Sequence, residues 1–264
     1  MNALRALIFD VDGTLAETER DGHRVAFNRA FAEAGLGWHW GVAEYGQLLA
    51  IPGGRERMLH YWQQVDPQAA SGSEASARLS TLHRAKNSHY AQLVREGAVQ
   101  LREGLCSLLS SAWEEGLQIA IATTTSSVNV EALLATLSAP CQAHWFSVVV
   151  AGEDVTRKKP DPEAYLRVAT ALNLKPCECL AFEDSTIGLA AATAAGMPTV
   201  VVRAEYTREQ DFTGALAVTD GFGQPADLRA SIFGCRGHAN VTQLYQWHRL
   251  WGYWYADRSQ GPTD

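Results

Sequence analysis

The stretch Leu7-Ile8-Phe9-Asp10-Val11-Asp12-Gly13-Thr14 decides the fold. Three apolar residues of strand character run straight into two carboxylates at alternating positions, then Gly-Thr. An apolar run bounded in this way reads as a buried strand. Its carboxyl end sets Asp10 and Asp12 at the edge of a sheet, where open α/β sheets bind their ligands. Two carboxylates this close repel each other unless a cation sits between them, and a hard divalent ion with oxygen ligands is the usual solution. Gly13 lets the backbone turn away sharply. Asp-x-Asp-Gly also fits a calcium loop or a plain polar turn.

Beyond this strand the pattern becomes helical. Val25, Phe27, Ala30, Phe31 and Ala34 recur at helical spacing and end at Gly35. Further helical stretches follow near 42–50, 55–65 and 76–96, with no convincing strand before about residue 117. This predicts an all-helical insert with its own core over residues 16–99, between the two parts of a core domain at 1–15 and 100–235. Strand and helix then alternate. A helix through Leu105, Leu108, Leu109 and Ala112 closes at Gly116, and strands are predicted at Gln118–Ala122, Phe146–Ala151, Leu180–Phe182, Thr199–Val202 and Ala215–Val218. Helices are expected from the Thr123–Ser127 hydroxyl run through Leu137, from Asp161-Pro162, and from Glu183-Asp184 to a cap at Gly196. Alternation of this length implies an α/β fold with a doubly wound, mostly parallel sheet.

The chemistry falls at the strand ends. Thr123 places a hydroxyl beside a helix N-terminus, a natural phosphate site. Arg157-Lys158-Lys159 supplies cations after the third strand, and Glu183-Asp184 closes the next with two carboxylates suited to an oxygen cage for Mg²⁺. Singly, each has a plainer reading: an N-cap, a solvated basic loop, or acids complementing a helix dipole. Together, complementary groups at successive strand ends point to phosphoryl transfer.

Composition bounds the rest. A net charge of −7 argues against nucleic acid as a partner, and no apolar stretch approaches the ~20 residues that span a membrane. The N-terminus reaches Asp10 too soon for a signal peptide, and five cysteines without paired spacing suggest reduced thiols. The expectation is a cytoplasmic enzyme, or a plastid stromal one if a transit peptide has been removed. In the extension 236–264, Leu244, Trp247, Trp251 and Trp254 fall at helical spacing, which suits packing on the same chain or contact with a protein partner.

The order Asp10-Val11-Asp12-Gly13-Thr14, Thr123, Lys159-Pro160, Glu183-Asp184 resembles the haloacid dehalogenase superfamily of phosphotransferases over about residues 5–220. The stretches Thr14-Leu15-Ala16-Glu17-Thr18-Glu19, His23-Arg24, Ala26-Phe27-Asn28, Gly53-Gly54-Arg55-Glu56-Arg57 and Ala122-Thr123-Thr124-Thr125-Ser126 resemble its CbbY branch. That branch dephosphorylates xylulose 1,5-bisphosphate, a misfire product that inhibits Rubisco. The resemblance implies a mobile helical cap and an aspartyl-phosphate mechanism. Asp10 would be the nucleophile, Asp12 the acid and base, and Thr123 and Lys159 would stabilise the transferring oxygens. Lys158 is a rival for Lys159, which precedes Pro as the superfamily's lysine commonly does. Asp10, Asp12 through its carbonyl, Asp184 and Glu183 would hold Mg²⁺. Glu17, His23, Arg55, Arg57 and Thr124 would contact a phosphosugar, Arg55 being favoured for the distal phosphate. An insertion around Arg20-Asp21-Gly22 shifts His23 relative to shorter relatives. A β-phosphoglucomutase-type mutase and a phosphoglycolate phosphatase share the same motifs.

Overall fold

The computed structural model describes residues 4–139, 141–223, 225–228 and 238–240. Its centre is β1 (Ala6–Phe9), every residue of which is buried. Side chains alternate across a strand. Leu7 and Phe9 therefore enter one apolar core with Ile119, Ile121, Leu180 and Phe182, while Ala6 and Ile8 enter a second with Ala120, Ala122 and Ala181. A strand with helices on both faces has no polar face to alternate, which is why the run reads as continuously apolar.

The helical insert follows β1. A π-helical turn, Glu19–His23, runs into α1 (Arg24–Glu33), followed by α2 (Val42–Leu48), α3 (Gly54–Val65), α4 (Pro67–Ala70) and the long α5 (Ala75–Arg95). Phe27, Phe31, Trp40, Tyr45, Met58 and Trp62 form a separate core among these helices. Then come α6 (Leu105–Glu114), β2 (Gln118–Ala122), α7 (Ser127–Leu134), β3 (Phe146–Val150), α8 (Glu163–Ala171), β4 (Cys179–Glu183), α9 (Thr186–Ala194), β5 (Thr199–Val202), β6 (Ala217–Thr219), β7 (Pro225–Leu228) and β8 (His238–Asn240). Among the described residues, the eight strands lie in the order β3-β2-β1-β4-β5-β6-β7-β8. Pairing is parallel from β3 to β6, and β7 and β8 add antiparallel.

The chain moves from β1 out to β3 on one side and returns to β4 on the other, so β1 and β4 flank the topological switch point where such sheets bind ligands. In register, Phe9 pairs with Phe182 and their rings stack at 4.6 Å, which brings Asp10 level with Glu183 one residue further on.

Some elements depart from the reading above. The antiparallel pair β7–β8 is additional to the expected strands, and the strand expected at Ala215–Val218 begins two residues later and ends one later, at Ala217–Thr219. The helix after Thr123 stops at Leu134 rather than Leu137. At Asp161-Pro162 the helix begins at Glu163, whose N–H is nevertheless accepted by Asp161 Oδ1 at 3.0 Å. The aromatic extension from Leu244 lies outside the described residues.

Candidate active site

Asp10 and Asp12 leave the end of β1 on a turn that only glycine permits at residue 13. Its φ is +79°, and a Cβ there would come within 2.4 Å of Asp184 Oδ2. Asp10 is buried, and its Oδ1 accepts Lys159 Nζ at 2.6 Å. Lys159 donates also to Glu183 Oε1 at 2.6 Å, so one ammonium bridges the ends of β1 and β4. Lys158 points elsewhere, to Glu56 Oε1 at 2.7 Å on α3 of the insert. Asp184 is buried beside them and accepts Thr207 Oγ1 at 3.2 Å.

Asp10, Glu183 and Asp184 each offer a carboxylate oxygen, all within 4.8 Å of one another. Burial pushes the Asp10 carboxyl up to about 7, with Glu183 and Asp12 adding to the shift and Lys159 opposing it. Burial, with the neighbouring Asp10 and Glu183 charges, also drives Asp184 well above the ordinary carboxylate range. Burial alone would lower Lys159, but Asp10 and Glu183 outweigh it and hold the amine protonated. Burial and mutual repulsion resist ionisation of all three carboxylates; a divalent cation would favour it, since three carboxylates against one ammonium would leave the two negative charges such an ion balances. Among the described residues, Glu183 Oε2 is buried with no hydrogen-bond partner, a position a protein rarely leaves unmet without a ligand in view. The all-oxygen donor set suits a hard ion such as Mg²⁺.

Asp12 has a different environment. Its Oδ1 accepts Thr18 Oγ1 at 2.6 Å and lies 2.8 Å from His23 Nε2. His23 Nδ1 in turn lies 2.9 Å from Lys86 Nζ on α5. An ammonium can only donate, so Nδ1 is the acceptor and Nε2 carries the proton given to Asp12. The His23 ring stacks on Tyr90 at 4.1 Å, and the Lys86 amine lies 5.0 Å from the Phe27 ring centroid. Burial lowers the Lys86 amine to about 8. Burial would raise Asp12, but His23, Thr18 and Lys86 prevail and hold its carboxyl below the ordinary range. Asp10 and Asp12 are thus driven in opposite directions. Sequence reasoning did not single out Thr18, Lys86 or Thr207; nothing local distinguishes them from a turn threonine or a solvated helix lysine.

These groups face a cavity of about 230 Å³ between the sheet end and the insert. Thr124 and Thr125 line it, with Thr123 behind them; Thr123 is buried and its Oγ1 accepts the Thr125 N–H at 3.2 Å. Glu17 lies at the exposed rim and pairs with Arg102. Arg57 lines the insert side, but it is buried and spends three donors inside the insert, on Leu48 O, Tyr45 Oη and Ile51 O. Arg55 corrects the expectation. It is exposed and bonds Ser76 Oγ at 2.9 Å instead of facing the cavity. Residues two apart on a helix do not share a face, so Arg55 and Arg57 could not both have reached one phosphate.

The fold and this set of acids define the class. A family model described as haloacid dehalogenase-like hydrolase matches residues 4–196. Protein CbbY of Cupriavidus necator is 44% identical over 248 residues, covering 93% of this chain and 97% of that protein. A CBBY-like protein of Arabidopsis thaliana is 40% identical, covering 87% of this chain and 73% of its own length. Crystal structures of CbbY from Rhodobacter sphaeroides, one in complex with phosphate and one with xylulose 1,5-bisphosphate, each superpose with a TM-score of 0.75 at 39% identity, covering 83% of this chain and 94% of theirs. The chain belongs to the haloacid dehalogenase-like hydrolases and, within them, to the CbbY branch of phosphatases. Among the described residues, no helix is long and apolar enough to cross a membrane.

Proposed function

We propose that the protein is a Mg²⁺-dependent sugar-bisphosphate phosphatase that converts xylulose 1,5-bisphosphate to xylulose 5-phosphate and phosphate. The observation that carries the chemistry is the opposite fate of the two motif aspartates. Asp10 sits in an acidic cluster with one lysine, and Asp12 in a relay of donors. A divalent cation in that cluster would keep the Asp10 carboxylate ionised for attack, while Asp12 stands outside the cluster with one oxygen free for proton transfer.

Asp10 attacks phosphorus and forms an aspartyl phosphate, with Lys159 neutralising charge beside it. Asp12 has Oδ1 committed to Thr18 and His23, leaving Oδ2 to give a proton to the departing sugar oxygen and then take one from the attacking water. In the arrangement described here His23, Thr18 and Lys86 favour the ionised form, the state the water step needs. His23 and Lys86 belong to the insert side, so its withdrawal frees Asp12 to be protonated for the first step. The carboxylates of Asp10, Asp184 and Glu183, with the Asp12 carbonyl, would hold Mg²⁺. When bound, the ion offsets repulsion between the nucleophile and the phosphate.

A bisphosphate is supported by cations on both sides of the cavity, Lys159 from the sheet and Arg57 and Lys86 from the insert. The relative crystallised with xylulose 1,5-bisphosphate supports the same sugar. Glu17 at the rim and Thr124 in the wall are the proposed contacts to substrate hydroxyl or phosphate oxygens. This reading sets the enzyme beside Rubisco, clearing an inhibitory by-product of carbon fixation.

The test is phosphate release with Mg²⁺ from xylulose 1,5-bisphosphate, ribulose 1,5-bisphosphate, phosphoglycolate and glucose 1-phosphate. A kcat/KM at least tenfold higher for the first is expected. Equal rates across the panel would reject the substrate. Conversion of glucose 1-phosphate to glucose 6-phosphate without phosphate release would make the enzyme a mutase.

A further inference from the structure

Tyr165, on α8, is completely buried behind the acidic cluster, and no expectation from sequence touched it. Its hydroxyl donates to Glu183 Oε1, the same oxygen that accepts Lys159 Nζ at 2.6 Å. The Lys159 amine also lies 5.1 Å from the Tyr165 ring centroid, within cation–π range. One tyrosine therefore contacts both partners of the Lys159–Glu183 pair. The second oxygen, Glu183 Oε2, is left buried and without a partner among the described residues.

We infer that Tyr165 is a positioning residue for the metal site: by sharing Glu183 Oε1 with Lys159, it fixes the carboxylate's rotation and reserves Oε2 for the divalent cation. The inference rests on the reading of Asp10, Glu183 and Asp184 as a Mg²⁺ cage. A carboxylate that accepts from Lys159 alone can turn about its last torsion and offer either oxygen to the amine. With two donors converging on Oε1 from different elements, α8 and the loop before it, only one orientation keeps both. The ring supplies the rest, since its face backs the ammonium that reaches on to Asp10. Such supporting partners of metal ligands commonly set affinity and rate by 10–100-fold.

Tyr165→Phe tests this, because it keeps the ring and deletes one hydroxyl. Mg²⁺ binding is measured by calorimetry without substrate, alongside kcat and KM for the phosphosugar. The expected result is a Mg²⁺ Kd and a kcat each about tenfold worse, with KM within about twofold of wild type. In the Glu183→Gln background the same change should then have little further effect on Mg²⁺ binding, because the hydroxyl acts through that carboxylate. A lower Tm with an unchanged Mg²⁺ Kd, or full additivity with Glu183→Gln, overturns the inference. A measurement on the wild type does not depend on the variant folding. The Tyr165 ring resonances should shift when Mg²⁺ is added, and their indifference to saturating Mg²⁺ equally overturns it. Wild-type protein that binds Mg²⁺ but hydrolyses no phosphosugar rejects the functional reading alone, and the calorimetric comparison still decides the role of Tyr165.

Discussion

Gly188→Ala makes a sharp test of whether Glu183 is held or merely resting in place. Gly188 is in the first turn of α9, pressed against the Glu183 carboxylate. A Cβ built there would lie 1.9 Å from Oε2, 2.0 Å from Cδ and 2.3 Å from Oε1. Helix propensity alone favours the substitution by up to about 1 kcal/mol. A free glutamate would swing aside at small cost, and alanine would then stabilise the protein. Glu183 is not free, being 1% exposed and pinned by Lys159 and Tyr165. Displacing it breaks two hydrogen bonds to a charged group, at about 1.5–3 kcal/mol each. The net expectation is a loss of about 2–5 kcal/mol, on the order of 10 °C in Tm for a chain this long. Turnover should fall at least about tenfold as the lysine and metal contacts are lost. Thermal unfolding and phosphate release, with and without Mg²⁺, measure both. A Tm at or above wild type with unchanged kcat would refute the reasoning, because it would show that Glu183 relocates without consequence.

Further outcomes follow from the same contacts. Lys86→Met should lower kcat by about tenfold or more through His23 and Asp12, read in steady-state kinetics. The Lys86 amine titrates near 8 when folded against 10.5 unfolded, so between these values the unfolded chain binds more protons and stability rises with pH. Wild type should therefore gain stability from pH 8 to 10.5 relative to Lys86→Met in parallel melting curves. Arg55→Ala should leave kcat/KM within about twofold, since it is exposed. Arg57→Ala should cost about 3 kcal/mol in denaturant unfolding, because a buried guanidinium leaves Tyr45 and two carbonyls without their donor. Asp10→Asn should abolish turnover while the protein still folds, since the amide keeps the shape but not the nucleophile.

What the sequence disclosed was local. The apolar run before Asp10 fixes a buried strand, and strands of that kind in alternation with helices imply a sheet whose carboxyl ends meet at one edge. Asp10, Lys159, Glu183 and Asp184, far apart in the chain, are joined by this rule together with chain order. The α8 and α9 faces obey no such rule. Tyr165 and Gly188 read as ordinary helix residues, and only the packing of α8 on β2 and β3 and of α9 on β4 and β5 brings them to Glu183. Lys86 lies among small and polar residues of a long helix, the usual setting of a solvated lysine, yet α5 buries it against His23. Arg55 is the opposite case: its charge and its neighbouring glycines are legible, but the phase of α3 turns it to Ser76 and away from the cavity.

The central claim is that Asp10 carries the phosphoryl group. The direct measurement is a rapid quench of enzyme, Mg²⁺ and xylulose 1,5-bisphosphate within one turnover, followed by borohydride reduction and peptide mass spectrometry. An acyl phosphate on Asp10 is reduced to homoserine, and the account predicts that change at residue 10 alone. Phosphate released over the same interval, with Asp10 unmodified at every quench time or with the label on another residue, would contradict it.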